Sequence, residues 1–409
     1  MTYVDIEKQP KAVSASDLET LHLLVKGQGI FIFSNQNSME PATFSLYNQD
    51  PTDGLLIQFT PQQVSVKVAF NQKELIDPEN SVGLINLEGA YYWFSIDYQN
   101  GLLYAGIGEA RIEDVSYKFA LETTSENRNF LESLYHIDIQ TPSQINPLRI
   151  IRDPIRDKVP LKVIDREHIT IEDLAANRFL PAPALSPVGQ QLYYTISGPK
   201  FVLNTPDFPC FSAAIQRSID TPGLWCYNKL REKSTEFNPN EPNLLETYLR
   251  ITLDQNNGES PGIPNVIEIW PYLHYSPIHN HSSANAIIRV LSGEINVTLY
   301  PFLSDKIKPF GNTSFKKNEV TWISPTLNQV HMLKNIASDK KACITIQCYM
   351  YGKDDLIHYD YFDYVNSDGK IEQYLPDSDM DFLEFKALMK KEWNNRPKCK
   401  KPKCKKCKN

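Results

Sequence analysis

Between Gly27 and about Glu122 the chain breaks into six short apolar runs, GIFIFSN, ATFSLYN, GLLIQFT, VSVKVAF, YYWFSIDY and GLLYAGIG, each bounded by turn residues. Runs this short, recurring roughly every 8–15 residues, leave no room for long helices, and their β-branched and aromatic side chains suit a pleated, half-buried surface. They predict an antiparallel β-sandwich. Gly106 and Gly108 form a Gly-x-Gly within the last run. It does not open a helix after a strand in a βαβ unit, so it is not a nucleotide fingerprint. No catalytic set is visible in this part of the chain.

The full chain has 409 residues, more than one ordinary core accommodates, and this predicts two or three domains. Its 21 Tyr, 19 Phe and 28 Pro agree with a β-rich reading. No apolar stretch is long enough to cross a membrane as a helix, and MTYVDIEKQPK has no apolar signal core. Both point to an intracellular, cytoplasmic protein. The formal net charge is −7, but residues 396–409, RPKCKKPKCKKCKN, contribute one Arg and seven Lys, so the remainder carries −15. An acidic body with a basic tail is not the electrostatic footprint of a nucleic-acid-reading domain; only the tail could contact one. In that tail Cys399-x4-Cys404-x2-Cys407 matches part of a metal or cluster spacing but lacks a fourth ligand. Cys210, Cys226, Cys343 and Cys348 sit among apolar residues and read as buried thiols.

The second half carries the chemistry. PIHNHSSANAIIRVLSGE holds His279 and His281, and WISPTLNQVHMLKN holds His331 fifty residues later. In a strand, residues i and i+2 share a face, so the pair can hold one ion from one side while His331 closes a facial set. Neutral imidazole suits Fe, Zn, Cu or Ni, and three protein ligands leave positions open. Two hydrogen-bonded strand histidines would be the plainer explanation. Context argues against it: Gly293 falls twelve residues after His281, where a strand would turn, Pro325 precedes His331, and Asn335 follows it. This pattern resembles the two metal-binding motifs of the cupin superfamily. The usual cupin carboxylate would fall at Asn285 or Ala286, neither of which is an anionic ligand, so a three-histidine site is expected.

A narrower resemblance covers roughly residues 205–395. TYLRITLDQNNGESPGIPNVIEIWPYLHYSPIHNH places Tyr248 two before Arg250 and Trp270 nine before His279, and CITIQCYMYGKDD places Tyr349 late in an apolar strand. The region is similar to thiol dioxygenases of the cysteine dioxygenase type. The resemblance implies that His279, His281 and His331 hold Fe(II), that Arg250 grips the substrate carboxylate, and that Tyr349 reaches the ligands of the iron. It also implies that Tyr248 and Trp270 line the substrate pocket. The reaction implied is oxidation of cysteine, or a similar carboxylate-bearing thiol, to its sulfinate with both atoms of O2.

The sequence departs from the family at two places. Where animal members carry a cysteine crosslinked to the tyrosine, this chain has Ala286, and bacterial members also lack that cysteine. The family's serine and histidine ahead of the tyrosine are replaced by Thr345 and Gln347. Gln347 can hydrogen-bond the Tyr349 hydroxyl but cannot shuttle a proton. Two other readings stay open: a catalytically silent cupin in a structural or assembly protein, and a three-histidine dioxygenase acting on another substrate.

The expected fold is mainly β: a C-terminal cupin (a jelly-roll β-barrel) with flanking helices, preceded by the β-sandwich. The expected boundaries are a polar lead-in at 1–24, the sandwich at 25–141, a proline-rich connecting region at 142–204, the cupin at 205–395 and the basic tail at 396–409. YYWFSIDYQNGLLYAGIGEARI is also faintly similar to the modules called farnesoic acid methyltransferase-like, a name that does not establish methyl transfer. SASDLETLHLL, TIEDLAANRFL, FSAAIQRSIDTPGLWCYNKLREK and DFLEFKALMKKEW read as helical. The implied partners are a small thiol and O2, with no membrane. The sandwich's own ligand or protein partner is not specified.

Overall fold

The computed structural model describes residues 12–14, 19–35, 40–70, 73–77, 90–141, 145–156, 158–253, 264–352 and 361–397. The chain divides into two units, residues 1–159 and 160–409. The fold is mainly β. Among the described residues no helix is long and apolar enough to cross a membrane.

In the first unit the short apolar runs become strands β1 (Ala12–Ser14), β2 (Gln28–Asn35), β3 (Ala42–Tyr47), β4 (Gly54–Phe59), β5 (Val64–Phe70) and β6 (Lys73–Asp77). They continue as β7 (Tyr92–Asp97), β8 (Leu102–Ile107), β9 (Val115–Ala120), β10 (His136–Ile139) and β11 (Ile145–Ile151), with helix α1 (Ser125–Ser133) before β10. One sheet has the order β1-β11-β2-β7-β8-β9 and the other β10-β3-β4-β5-β6. Their facing sides interdigitate aromatic rings. Phe33 lies 4.6 Å from Phe44 and 5.1 Å from Phe59, and Phe31 lies 5.3 Å from Phe94, ring centre to ring centre. The opposite face of the first sheet packs Ile30, Ile32, Trp93 and Tyr104 with Ile155. Gly106 is required there by close approach: a Cβ would fall inside the Trp93 ring.

The second unit begins with β12 (Lys162–Ile164), α2 (Ile171–Ala176), β13 (Leu180–Pro181) and α3 (Pro187–Ile196), followed by α4 (Phe211–Asp220) and α5 (Trp225–Glu232). Next come β14 (Leu249–Thr252), β15 (Asn265–Trp270), β16 (Asn285–Ser292), β17 (Glu294–Leu299), β18 (Gly311–Lys316), β19 (Val320–Ile323), β20 (His331–Lys334) and β21 (Cys343–Met350). The unit closes with β22 (Phe362–Val365), β23 (Ile371–Tyr374), β24 (Met380–Asp381) and α6 (Phe382–Asn394). One sheet runs β13-β12-β19-β16-β21-β15-β14-β24, and a smaller one runs β18-β17-β20. Backbone bridges from His279 to His331 and to Tyr364 link the smaller sheet to the β22-β23 pair. The two antiparallel-rich sheets agree with the expected jelly roll. Its interior holds Trp270, Val290, Ile295, Val297, Leu299, Phe315 and Leu333. Gly293, at φ 82°, makes the β16–β17 turn at the expected place.

The proline-rich stretch is not a connector throughout. β11 pairs with β2 in the sandwich, with a register shift just after Pro147 that absorbs the missing N–H. β12 pairs with β19 of the barrel, and α3 starts at Pro187 behind a Ser186 N-cap, a position where proline costs nothing. The expected helix in SASDLETLHLL is also corrected: residues 15–18 lie outside the described set, and His22 instead bridges His136 in extended form. The helix in TIEDLAANRFL forms as α2 with a Thr170–Asp173 capping box. The two later helical stretches form α4, α5 and α6, with the break between α4 and α5 at Thr221-Pro222-Gly223. Cys226, Cys343 and Cys348 are buried free thiols, whereas Cys210 takes part in a disulfide rather than standing as a thiol. The Cys399, Cys404 and Cys407 spacing lies outside the described residues.

Candidate metal centre

His279 and His331 are joined by their backbones: each N–H donates to the other's carbonyl at 3.0 Å. This two-bond pairing sets both side chains on one side of the sheet. His281 follows two residues after His279, and the chain then turns sharply through Ser282 and Ser283, both at positive φ (49° and 63°). Non-glycine residues in that region cost energy and persist only where the surroundings impose them. The result brings together all three predicted ligands. One candidate ligand atom from each histidine lies within 4.8 Å of the others, and no other such group of His, Cys, Asp or Glu occurs among the described residues.

The donor set fits a metal ion. His279 directs Nδ1 at the Pro277 carbonyl at 3.0 Å, so its tautomer leaves Nε2 for the centre. His281 Nε2 and His331 Nε2 lie 3.0 Å apart. Two nitrogens at right angles on one ion, each bonded at about 2.1 Å, would be separated by about 3 Å. That is the spacing of a facial set with open positions. Burial pushes the His279 pKa down to about 4 and holds His281 and His331 well below the usual histidine range, His331 adding to the shift of His281. All three are therefore neutral at neutral pH, the form that binds metal. Asn285 accepts from the Ser186 hydroxyl through its side-chain oxygen and Ala286 is an apolar wall residue, so no carboxylate joins the set from there.

Around the histidines stand rings. Tyr349 stacks on His281 at 5.3 Å, and Phe362 meets His281 edge-on at 4.7 Å. Ala286 is directly opposite Tyr349 in the β16–β21 pairing, so the methyl group stands where a crosslinking thiol would have to be. Trp270 stacks on Tyr248 at 4.3 Å and donates its indole N–H to Thr345 at 3.2 Å. Trp322, in contrast, donates to the Pro160 carbonyl at 3.0 Å and serves packing.

Arg250 is 2 % exposed and does not sit alone. Glu268 lies across the β14–β15 pairing, and its Oε1 accepts from Arg250 Nη1 at 2.9 Å. Burial opposes the guanidinium charge, but Glu268 together with Tyr374, Tyr248 and Tyr349 more than offsets it, and the Arg250 pKa rises. Burial likewise pushes the Glu268 carboxyl up to about 7, against the opposing pull of Arg250. Glu268 Oε2 accepts from the Gln347 amide, and the Gln347 carbonyl accepts from the Tyr349 hydroxyl. Arg250 Nε and Nη2 are buried without a well-formed hydrogen bond, the Tyr248 hydroxyl making only a looser contact with the guanidinium, and His281 Nδ1 is buried without a partner. Buried donors of this kind are costly and normally find partners, so the open Nε–Nη2 edge is a ready fork for a carboxylate.

Glu268, paired with Arg250, and Phe362, against His281, were not singled out from the sequence. The only signal for Glu268 was one acid inside the apolar run NVIEIW. Phe362 carried none.

Residues 233–361 match the family described as Cysteine dioxygenase type I. The C-terminal region resembles the cysteine dioxygenase-type cupins. Cysteine dioxygenase type 1 of Danio rerio is 26% identical over 99 residues, which cover 23% of this chain and 47% of that protein. The chain thus spans about half the length of the curated relative it matches. Among solved structures, the Schizosaccharomyces pombe Cnp3 cupin domain has 16% identity and a TM-score of 0.21, covering 26% of this chain and 65% of that one. The Drosophila melanogaster CENP-C cupin domain has 10% identity and a TM-score of 0.18, covering 21% of this chain and 59% of that one. At such scores these two likenesses carry no argument about function.

Proposed function

We propose that the C-terminal unit is a non-haem iron thiol dioxygenase that oxidises cysteine, or a similar small carboxylate-bearing thiol, to its sulfinate. The observation that carries this reading is the facial gathering of three neutral histidines without a carboxylate, inside a region that resembles cysteine dioxygenase. Fe(II) would be held by His279, His281 and His331, and the chemistry it supplies is acidification of a bound thiol and activation of O2. Both oxygen atoms end on sulfur, so a thiol and O2 balance a sulfinic acid with no external reductant.

The chain's own residues supply the rest. Arg250 offers its unpartnered Nε–Nη2 edge to the substrate carboxylate, while its Nη1 is kept by Glu268. Tyr349 orients the ligand beside His281, and the stacked Tyr248 and Trp270 would wall the substrate's side of the site. Phe362 and the other rings exclude water, which strengthens each polar contact within.

A second reading follows from Glu268. It already neutralises Arg250, which would suit an aminothiol without a carboxylate. One experiment separates the two: oxygen uptake by the iron-loaded chain with cysteine and with cysteamine. Arg250→Lys keeps a cation for Glu268 but loses the fork. It should lower kcat/KM for cysteine by roughly ten- to a hundred-fold and leave cysteamine nearly unchanged. Equal losses for both would assign Arg250 to structure alone. No uptake with any thiol by protein that holds Fe(II) would refute the dioxygenase reading.

A further inference from the structure

The chain of polar groups from Arg250 to Tyr349 has a direction. A carboxylate can only accept hydrogen bonds, and Glu268 accepts at both ends: Arg250 Nη1 donates to Oε1, and Gln347 Nε2 donates to Oε2. Gln347 must then turn its carbonyl away from Glu268, toward Tyr349. The Tyr349 hydroxyl donates its single proton to that carbonyl. Every proton in the chain points toward Glu268. What Tyr349 has left is the lone pairs on its oxygen.

We infer that Glu268 is a positioning residue that sets the polarity of the Tyr349 hydroxyl, so that Tyr349 presents an acceptor and not a donor to a ligand at the histidine centre. The group that Tyr349 meets must therefore carry a proton to give. On an aminothiol that group is the ammonium; a thiol with a carboxylate but no amine has none. With the open edge of Arg250 facing a carboxylate, the site reads a zwitterion at both ends.

The logic predicts its own reversal. In Glu268→Gln, Arg250 can donate only to the new amide's oxygen, which leaves the new NH2 aimed at Gln347. Gln347 must flip to accept from it and then donates its own NH2 to Tyr349. Tyr349 becomes an acceptor within the chain, and its proton is released toward the centre. The fold is asked for almost nothing, since the substitution keeps the shape of the side chain. Gln347→Met cuts the chain at its middle while leaving the Arg250–Glu268 pair in place.

The specificity consequence rests on the thiol dioxygenase reading, but the polarity itself does not, and the test keeps them apart. The C–O stretching band of a phenol shifts in opposite directions when its hydroxyl donates or accepts. It is recorded by difference infrared spectroscopy on the full chain with isotope-labelled tyrosine, using Tyr349→Phe to assign the band. The measurement is made at about pH 8.5, where Glu268 is ionised. The expected result is a donor band in the unsubstituted protein, an acceptor band in Glu268→Gln, and loss of the donor band in Gln347→Met. A donor band unchanged in either variant overturns the inference.

In the iron-loaded protein, Glu268→Gln should lower kcat/KM for cysteine at least ten-fold relative to 3-mercaptopropionate, which has no amine. Equal changes for both thiols alongside the expected bands would overturn the specificity part. Expected bands with no thiol oxidised by any form would support the polarity and overturn the dioxygenase reading instead.

Discussion

The two units bury opposite kinds of interior. In the sandwich, the space between the sheets is filled by Phe31, Phe33, Phe44, Phe59 and Phe94, all within 1 % of full burial. In the barrel, Arg250, Glu268, His281, His331 and Gln347 are all at most 2 % exposed. Apolar rings need no partners and stabilise by removal from water alone. Ionisable groups lose hydration on burial, and a buried ion pair at best offsets that loss. The ring-filled space between the sheets of the sandwich is what stability by itself selects, while Trp93 Nε1 and Asp114 Oδ2 elsewhere in that unit are also buried without partners. The barrel interior costs folding energy, and the orphaned donors on Arg250 and His281 show that the cost is not fully recovered within the chain. Such residues are retained where they meet a ligand.

The largest effect that would break this contrast concerns the histidines. His281→Ala or His331→Ala should take bound iron from about one ion per chain to none, as read by metal analysis, because two imidazoles leave a facial set open. The unfolding midpoint of the sandwich should not move. Iron retained in both variants would remove the metal centre from the comparison.

Next comes the sandwich itself. Phe44 touches Phe31 and Phe33 of the facing sheet and Phe59 of its own, and Phe44→Ala should destabilise the first unit by about 4 kcal/mol in denaturant unfolding while leaving iron binding intact. A smaller loss would mean that the rings repack and the interior is less closely fitted than its distances indicate.

A double substitution sharpens the argument about buried charge. Glu268→Leu strands the Arg250 guanidinium and should cost the barrel about 3 kcal/mol. Adding Arg250→Met should restore stability to within about 1 kcal/mol of the original while abolishing turnover of cysteine. If the double variant stays as unstable as the single one, the pair contributes net stability and is not kept for function.

The smallest effect lies in a buried ionic cluster of the first unit. Asp114 sits beside Glu109, Arg111 and Glu113, and burial, then Glu109, push its carboxyl up to about 8 against the pull of Arg111. An unfolded Asp titrates near 3.9, so between about pH 4 and pH 8 the folded form binds the extra proton. Stability of the first unit should therefore fall as pH rises through that window and level off above it. Asp114→Asn cannot ionise, and should flatten the decline and exceed the unsubstituted protein by about 1–2 kcal/mol at alkaline pH. Parallel curves for the two proteins in urea unfolding would show that Asp114 does not titrate in this window.

Much of this was legible in the chain, for reasons that differ by element. The sandwich strands announce themselves because alternation with a period of two is a local property, and Phe31-Ile32-Phe33 needs no distant partner to read as a strand. The strands within the proline-rich stretch could not be assigned from the sequence because they depend on pairing with remote strands: β12 finds β19 about 157 residues away in sequence, and local composition carries no trace of it. SASDLETLHLL has the start signals of a helix, yet His22 is committed to His136, a tertiary choice that overrides propensity. The three histidines were legible because the ligand types and the i, i+2 rule restrict them tightly. Arg250 was legible as a residue and not in its circumstances.

The sequence by itself determined the alphabet of this protein: which runs are strands, which imidazoles can share an ion, and that Ala286 rules out a thioether. Those facts follow from side-chain chemistry and from the short-range geometry of the backbone. Only the tertiary structure decided which groups face one another. It put Glu268 against Arg250, fixed the direction of the Gln347 amide, and thereby the proton of Tyr349. A hydrogen bond has a donor and an acceptor, and which end is which cannot be read from residues on strands β14, β15 and β21 until the sheet has brought them side by side.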